Sequence, residues 1–485
     1  MTVKNYRMFA IALLAVVVMS AAIPAYAQFS VLYNFGSHSG DPEFPGYGPL
    51  AQGGDGSLYG TTGGGTHNSG TVFKITPAGN VSVLYNFCSL ANCTDGSGPL
   101  VGLTLRPDGH FIGTTFEGGN NNCFQGCGTI FDITSTGTLT TLYKFTGGQD
   151  AFGPTAAPIL GPDGSFYGTT QNGGSKANCG TLYRITGNVF TTLHTFDVNH
   201  GCHPTPLVLG TDGNLYGATI NGAGTFFQVK LRTGMAALVT VLYNFDGYHG
   251  FSPSYYSAPV QGSDGNFYGT TIDSISSGSG VIYKITPTGT PTVLYILNGS
   301  TDGNGYMTGL TQASDGNFYG AAAEGGNSSN CPDANPSGCG TLFQVTPAGS
   351  FSVLHNFDGT TGSDVVTTPF QHTNGRLYGG ALLGGTGTGC GGTVGCGVFY
   401  SWDAGLPAFV SMVPFMGQVG HFVEILGQGF TPSTTVSFNG TPATATVVSG
   451  TYLKTTVPAG ATTGFITVTT FSGTLTSNRQ FVVTP

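Results

Sequence analysis

Three short phrases recur seven times in fixed order between Gln28 and Asp403, and this repetition constrains the fold more than anything else in the 485-residue chain. The first phrase is an apolar, aromatic run: Val31 to Phe35, Val83 to Phe87, Thr141 to Phe145, Thr192 to Phe196, Val241 to Phe245, Val293 to Leu297 and Val353 to Phe357. The second is Asp-Gly-x-(Leu/Phe)-Tyr-Gly, at Asp55, Asp108, Asp163, Asp212, Asp264 and Asp315, with Asn374-Gly375 as its seventh copy. Phe111-Ile112 stands in the second copy where the others carry an aromatic-Tyr or Leu-Tyr pair. The third begins at Gly70, Gly128, Gly180, Gly224, Gly280, Gly340 and Gly397. A unit of roughly 50 residues made of strand-length apolar runs matches one four-stranded propeller blade. Asp-Gly supplies the tight hairpin, because Gly accepts the positive φ that such turns require.

The order of the phrases predicts how the ring closes. The array opens on the aromatic phrase with no inner strands before it, and it ends on Phe399 to Trp402 with no aromatic phrase after it. The opening strand then completes the seventh blade, and closure removes exposed sheet edges. Composition agrees: only 7% of residues are charged and 82 are Gly, which leaves too few Glu, Lys and Arg to clothe helix surfaces. The expectation is an all-β chain, a seven-bladed β-propeller over 28–405 followed by an immunoglobulin-like β-sandwich over 406–485. An open solenoid is the alternative to the ring.

The first 27 residues read as a signal peptide. Lys4 and Arg7 precede an apolar run, Met8 to Ala22, and Ala25-Tyr26-Ala27 is a small-x-small cleavage site. The run falls short of the roughly 20 residues that span a bilayer. Cleavage leaves 11 basic and 22 acidic residues, a net charge of −11. Nucleic acid and anionic membrane surfaces are therefore poor partners. An exported, secreted or surface-associated protein is expected, with no membrane span in the mature chain; the sequence does not specify its oligomeric state.

The phrases Leu-Tyr-Asn-Phe, Asp-Gly-Asn-(Leu/Phe)-Tyr-Gly-Thr-Thr and Gly-Thr-Val-Phe-Lys-Ile-Thr-Pro resemble the tandem Gloeobacter/Verrucomicrobia repeats of secreted bacterial proteins. The runs Pro414 to Gly420, Ile425 to Phe430 and Val436 to Gly440 resemble an IPT/TIG domain, which implies a binding or spacer module. Neither resemblance carries catalytic residues with it.

Ten cysteines in an exported chain imply disulfides. Proximity pairs Cys88 with Cys93, Cys123 with Cys127, Cys179 with Cys202, Cys331 with Cys339, and Cys390 with Cys396. All ten fall in the longer connections of one propeller face. That face is the expected binding face, with Tyr47, Phe124, Tyr248, Tyr255, Tyr256 and Tyr306 suited to stacking against sugars. Glu117, Gln171 and Glu324 are read as occupying one equivalent repeat position just after the second strand. Glu117 and Glu324 form the best carboxylate pair, but blades two and six are too far apart for glycosidase geometry. The repeated hairpin Asp reads as turn chemistry, with calcium as its alternative. A second set, Asp41, Asp95, Asp150, Asp197, Asp246, Asp302 and Asp358, is weighed as turn residues or as a carboxylate ring at the channel mouth. No cofactor is expected. The leading function is non-catalytic recognition of an extracellular glycan or protein. The alternatives are a polysaccharide-active hydrolase or lyase, and a structural envelope component.

Overall fold

The computed structural model describes residues 28–485 except 175–177, 233–236, 256–257, 274–279, 327–330, 332–337 and 391–393. The expected signal peptide and Tyr256 lie outside the described residues. Tyr306 is described in its backbone only.

Each repeat folds as an antiparallel sheet. In blade four the strands run Val208–Leu209, Leu215–Thr219, Thr225–Lys230 and Leu238–Asn244, paired in that order from the axis outward. The second strand is buried along its whole length, whereas the outer strand is only partly covered. In blades three, five and six the inner strand is split into two short segments that pair with the same second strand. Gln28–Asn34 pairs antiparallel with Val398–Asp403, Phe29 opposite Trp402 and Val31 opposite Tyr400. Seven sheets of this kind result.

Hydrogen bonds link the sheets into a closed ring. Thr61, Thr114 and Thr169 donate their hydroxyls to the carbonyls of Val101, Ala156 and Thr205 in the next blade, at 2.9, 3.1 and 3.0 Å. The Thr211 amide donates to Gln261 (2.8 Å), and Thr270 donates to the Thr308 carbonyl (3.0 Å). The Gly309 amide donates to Thr368 (3.0 Å), and Thr367 returns to the Gly46 carbonyl of blade one (2.8 Å).

The recurrent Tyr-Gly of the second strand has a packing cause. A Cβ at Gly269 would collide with the hydroxyl end of Tyr283, and one at Gly379 with that of Tyr400. The third-strand aromatic ring lies across the glycine, so any larger residue would displace it. The repeated aspartate is a turn residue. Asp264 accepts the Asn266 amide on Oδ1 (3.1 Å) and the Tyr268 hydroxyl on Oδ2 (2.7 Å). In the seventh copy, Asn374 bonds the Arg376 amide and the Tyr378 hydroxyl instead.

The C-terminal strands form two packed sheets. One contains Ser411–Val413, Phe422–Leu426, Tyr452–Thr456 and Ala445–Ser449. The other is built on Gly464–Thr470 and Gly473–Val483. Ile425, Leu453, Phe438, Ile466 and Phe481 fill the space between them. This sandwich docks on the hairpin face of the propeller. Ser449 and Thr451 both donate to the Gly54 carbonyl, at 3.0 and 2.8 Å, and Gln428 donates to Thr373 at 2.9 Å. Met416 packs in one apolar cluster with Leu209 of blade four.

Candidate functional site

The loop face carries the disulfides. Five bonds are present, Cys88–Cys93, Cys123–Cys127, Cys179–Cys202, Cys331–Cys339 and Cys390–Cys396, and no cysteine is free. They match the expected pairing and fit an oxidising compartment. No helix among the described residues is long and apolar enough to cross a membrane.

The loop-set aspartates are not gathered at the channel mouth. Tyr33 donates its hydroxyl to Asp41 (2.7 Å), Tyr85 to Asp95 (2.8 Å), Tyr143 to Asp150 (2.8 Å) and Tyr295 to Asp302 (2.6 Å). Those tyrosines belong to the outer strands, farthest from the axis. These four aspartates tie their loops to the rims of their own blades, while Asp197 and Asp358 bond within their own turns, to His200 and to Thr360 and Thr361, which overturns the reading of a carboxylate ring around the mouth.

At the loop end of the axis lies a cavity of about 490 Å³ lined by Tyr47, Phe116, Gln171, Ser254, Tyr255, Met307, Thr308, Gly309, Asp364 and Val366. Blades one, two, three, five, six and seven all contribute to it. Its wall is held by backbone bonds: Tyr47 to the Leu100 carbonyl (2.8 Å), Ser254 to the Thr270 carbonyl (3.0 Å) and Thr308 to the Ala321 carbonyl (2.9 Å). The Ser254 hydroxyl donates to the Met307 carbonyl. Gln171 is the penultimate residue of the second strand of blade three, Phe166–Asn172, and is 8% exposed. Its carbonyl accepts a bond from His203 (2.9 Å), while its side-chain amide has no hydrogen-bond partner among the described residues and faces the cavity. Asp364 holds a left-handed backbone conformation, φ +55°, which sets it on the wall from the loop of blade seven.

Tyr47, Gln171 and Tyr255 therefore converge. Phe124, Tyr248, Glu117 and Glu324 do not join them. Phe124 and Tyr248 are 91% and 70% exposed, away from the cavity. The shared repeat position of Glu117, Gln171 and Glu324 requires correction. Glu324 pairs opposite Asn304 just as Asn172 pairs opposite Phe152, so Asn172 is the equivalent residue and Gln171 stands one step earlier. Phe116 and Ala323 share the Gln171 position. One step along a strand reverses the face, so Phe116 and Gln171 line the cavity and the two glutamates do not. Burial pushes the Glu117 carboxyl above the usual carboxylate range. Phe116, Ser254, Met307, Thr308, Asp364 and Val366 were missed in the sequence. The signal for Phe116 was its place three residues after the second-strand glycine, a position held by Gly63, Phe116, Gln171, Ile220, Ile272, Ala323 and Leu382 and so not fixed by the repeat. Among the described residues no cluster of His, Cys, Asp and Glu is suited to a metal.

The family model for the Gloeobacter/Verrucomicrobia repeat matches residues 88–255 and 153–394. The chain belongs to the Gloeobacter/Verrucomicrobia repeat family. The IPT/TIG domain model matches 407–483, so this repeat protein carries an immunoglobulin-like module after its propeller. None of the curated proteins compared with it matches. Among solved structures, the repeat protein is similar to a fungal alcohol oxidase of the AA5 family in complex with copper, at 13% identity and TM-score 0.49, covering 95% of this chain and 100% of that one. It is similar to a gluconolactonase from Xanthomonas campestris at 13% identity and TM-score 0.39, covering 61% and 86%. It is also similar to a PQQ-bound aldose sugar dehydrogenase from Streptomyces coelicolor at 13% identity and TM-score 0.38, covering 78% and 98%. None of their chemistry is carried over to this repeat protein. A propeller with a TIG domain fits a surface protein.

Proposed function

We propose that the protein is exported by its N-terminal segment and acts as a non-catalytic recognition protein that binds an extracellular glycan through the loop-face cavity. The observation that carries this reading is the meeting of aromatic residues Tyr47, Phe116 and Tyr255 with the Gln171 amide, which has no partner among the described residues, in one concave site. Aromatic faces suit the C–H faces of sugars, while an amide, hydroxyls and a carboxylate suit their hydroxyl groups. Hydrolysis by paired carboxyls needs two such groups roughly 5–9.5 Å apart. Asp364 is the one carboxylate among the described lining residues, which supports binding over turnover.

A glycan array followed by titration calorimetry tests this. Gln171→Ala and Tyr255→Ala are expected to weaken binding about tenfold each, the loss of roughly 1.4 kcal/mol. Phe124→Ala and Tyr248→Ala are expected to leave it unchanged. Release of reducing ends from a polysaccharide, lost in Glu117→Gln, would overturn the non-catalytic reading.

A further inference from the structure

The loop-face cavity is the mouth of a longer channel. At Gly309 it meets a stretch of about 250 Å³ walled by the inner edges of all seven blades. That stretch shares Leu103 and Thr104 with a third space of about 270 Å³, which Met412, Val413, Pro414 and Leu426 of the sandwich help to wall. The mouth carries the polar side chains of Tyr47, Gln171, Ser254, Thr308 and Asp364, and the middle stretch carries far fewer. Of the 19 residues around the middle stretch, only Thr104, Thr311 and Thr368 carry polar side-chain atoms, and none is charged. Two wall carbonyls, Val101 and Ala156, are already taken by Thr61 and Thr114.

A sugar placed there would leave hydroxyls unpaired, at a cost of roughly 1–3 kcal/mol each. An aliphatic chain would lose nothing and would gain from burial. Asp364 at the mouth opposes an anionic head. We infer that the channel takes the single aliphatic chain of an amphiphile whose neutral, hydroxylated head stays among Tyr47, Gln171 and Tyr255. This inference rests on the recognition reading of the cavity and adds the ligand class.

Titration of the full chain with n-alkyl β-maltosides, methyl to decyl and below micelle formation, tests it. The expected Kd falls roughly fourfold per methylene, the ratio given by about 0.8 kcal/mol per buried CH2, and levels off when the chain reaches the sandwich wall. Ala258→Phe, which fills the middle stretch, is expected to abolish the length dependence while keeping methyl maltoside binding. Ala157→Phe does the same from another blade if the first variant does not fold. Equal affinity along the series overturns the inference and leaves the recognition reading standing. A length dependence that survives both variants also overturns it, because the chain then lies elsewhere. If no maltoside binds, the inference falls, and the glycan array decides the recognition reading separately.

Discussion

His194 and His355 stand at the outer-strand position where the other five blades carry Tyr. Burial holds each imidazole down to about 4, with His200 adding to the effect at His194, while Asp197 and Asp358 oppose it. The folded protein thus keeps both rings neutral in a range where the unfolded chain protonates them. Their contribution is whole above about pH 6.5 and is lost as pH falls toward about 4. After a discount for solvent screening, that loss is about 1 kcal/mol per ring at pH 5. Denaturant titrations at pH 7.5 and pH 5 are expected to show it. The double variant His194→Tyr/His355→Tyr should lose this slope, since a phenol there does not titrate and stands near Asp197 or Asp358. Below about pH 4 both proteins should weaken together. Burial works to raise Asp264, but Asn266 and Tyr268 hold it below its ordinary value, and Asp246 is lowered in the same way by His249.

At the scale of strands and loops, two features hold each blade. The first is the glycine under the third-strand ring. Gly269→Ala should cost roughly 1–3 kcal/mol, because the buried Tyr283 must leave its position, and the thermal midpoint reads that loss. The second is the set of disulfides. Cys179–Cys202 spans 23 residues, and the other four span 4 to 8. In the chain-entropy picture the long one contributes roughly 3 kcal/mol and each short one roughly 2. Paired Cys→Ala substitutions, compared by chemical denaturation, should rank Cys179/Cys202 as the most costly. Cys331 and Cys339 had only their spacing to identify them in the sequence; spacing sufficed for the four short pairs because each closes within one connection, whereas Cys179–Cys202 joins two connections on either side of the strands Thr181–Thr186 and Val189–Thr195.

At the scale of the molecule, the sandwich is a second wall of the propeller and not a trailing module. Its Tyr452 ring sits against Gly54, where a Cβ would come within 3.0 Å of it. Leu426 and Tyr452 share an apolar cluster with Ala51 and Leu105. Gly54→Trp should therefore pry the two bodies apart at this point. Calorimetry is expected to resolve one melting transition for the native chain and two for the variant, with faster proteolysis between Asp403 and Ser411.

The recurrence of the three phrases, the missing last outer strand and the close spacing of the cysteines all lie within single repeats or at the ends of the array. They were legible because strand period, turn chemistry and short loops are local properties of the chain. Asp264 and Gly269 could be read in this way from their neighbours alone. The cavity could not. Phe116, Gln171, Tyr255 and Asp364 come from four blades, and ring closure alone brings them together. One residue of register separates Gln171 from Asn172, the true counterpart of Glu117 and Glu324, and that step was settled by the pairing opposite Phe152 and Asn304. The docking of Tyr452 on Gly54 was likewise invisible, because it joins surfaces about 400 residues apart through shape and not through any pattern in the chain.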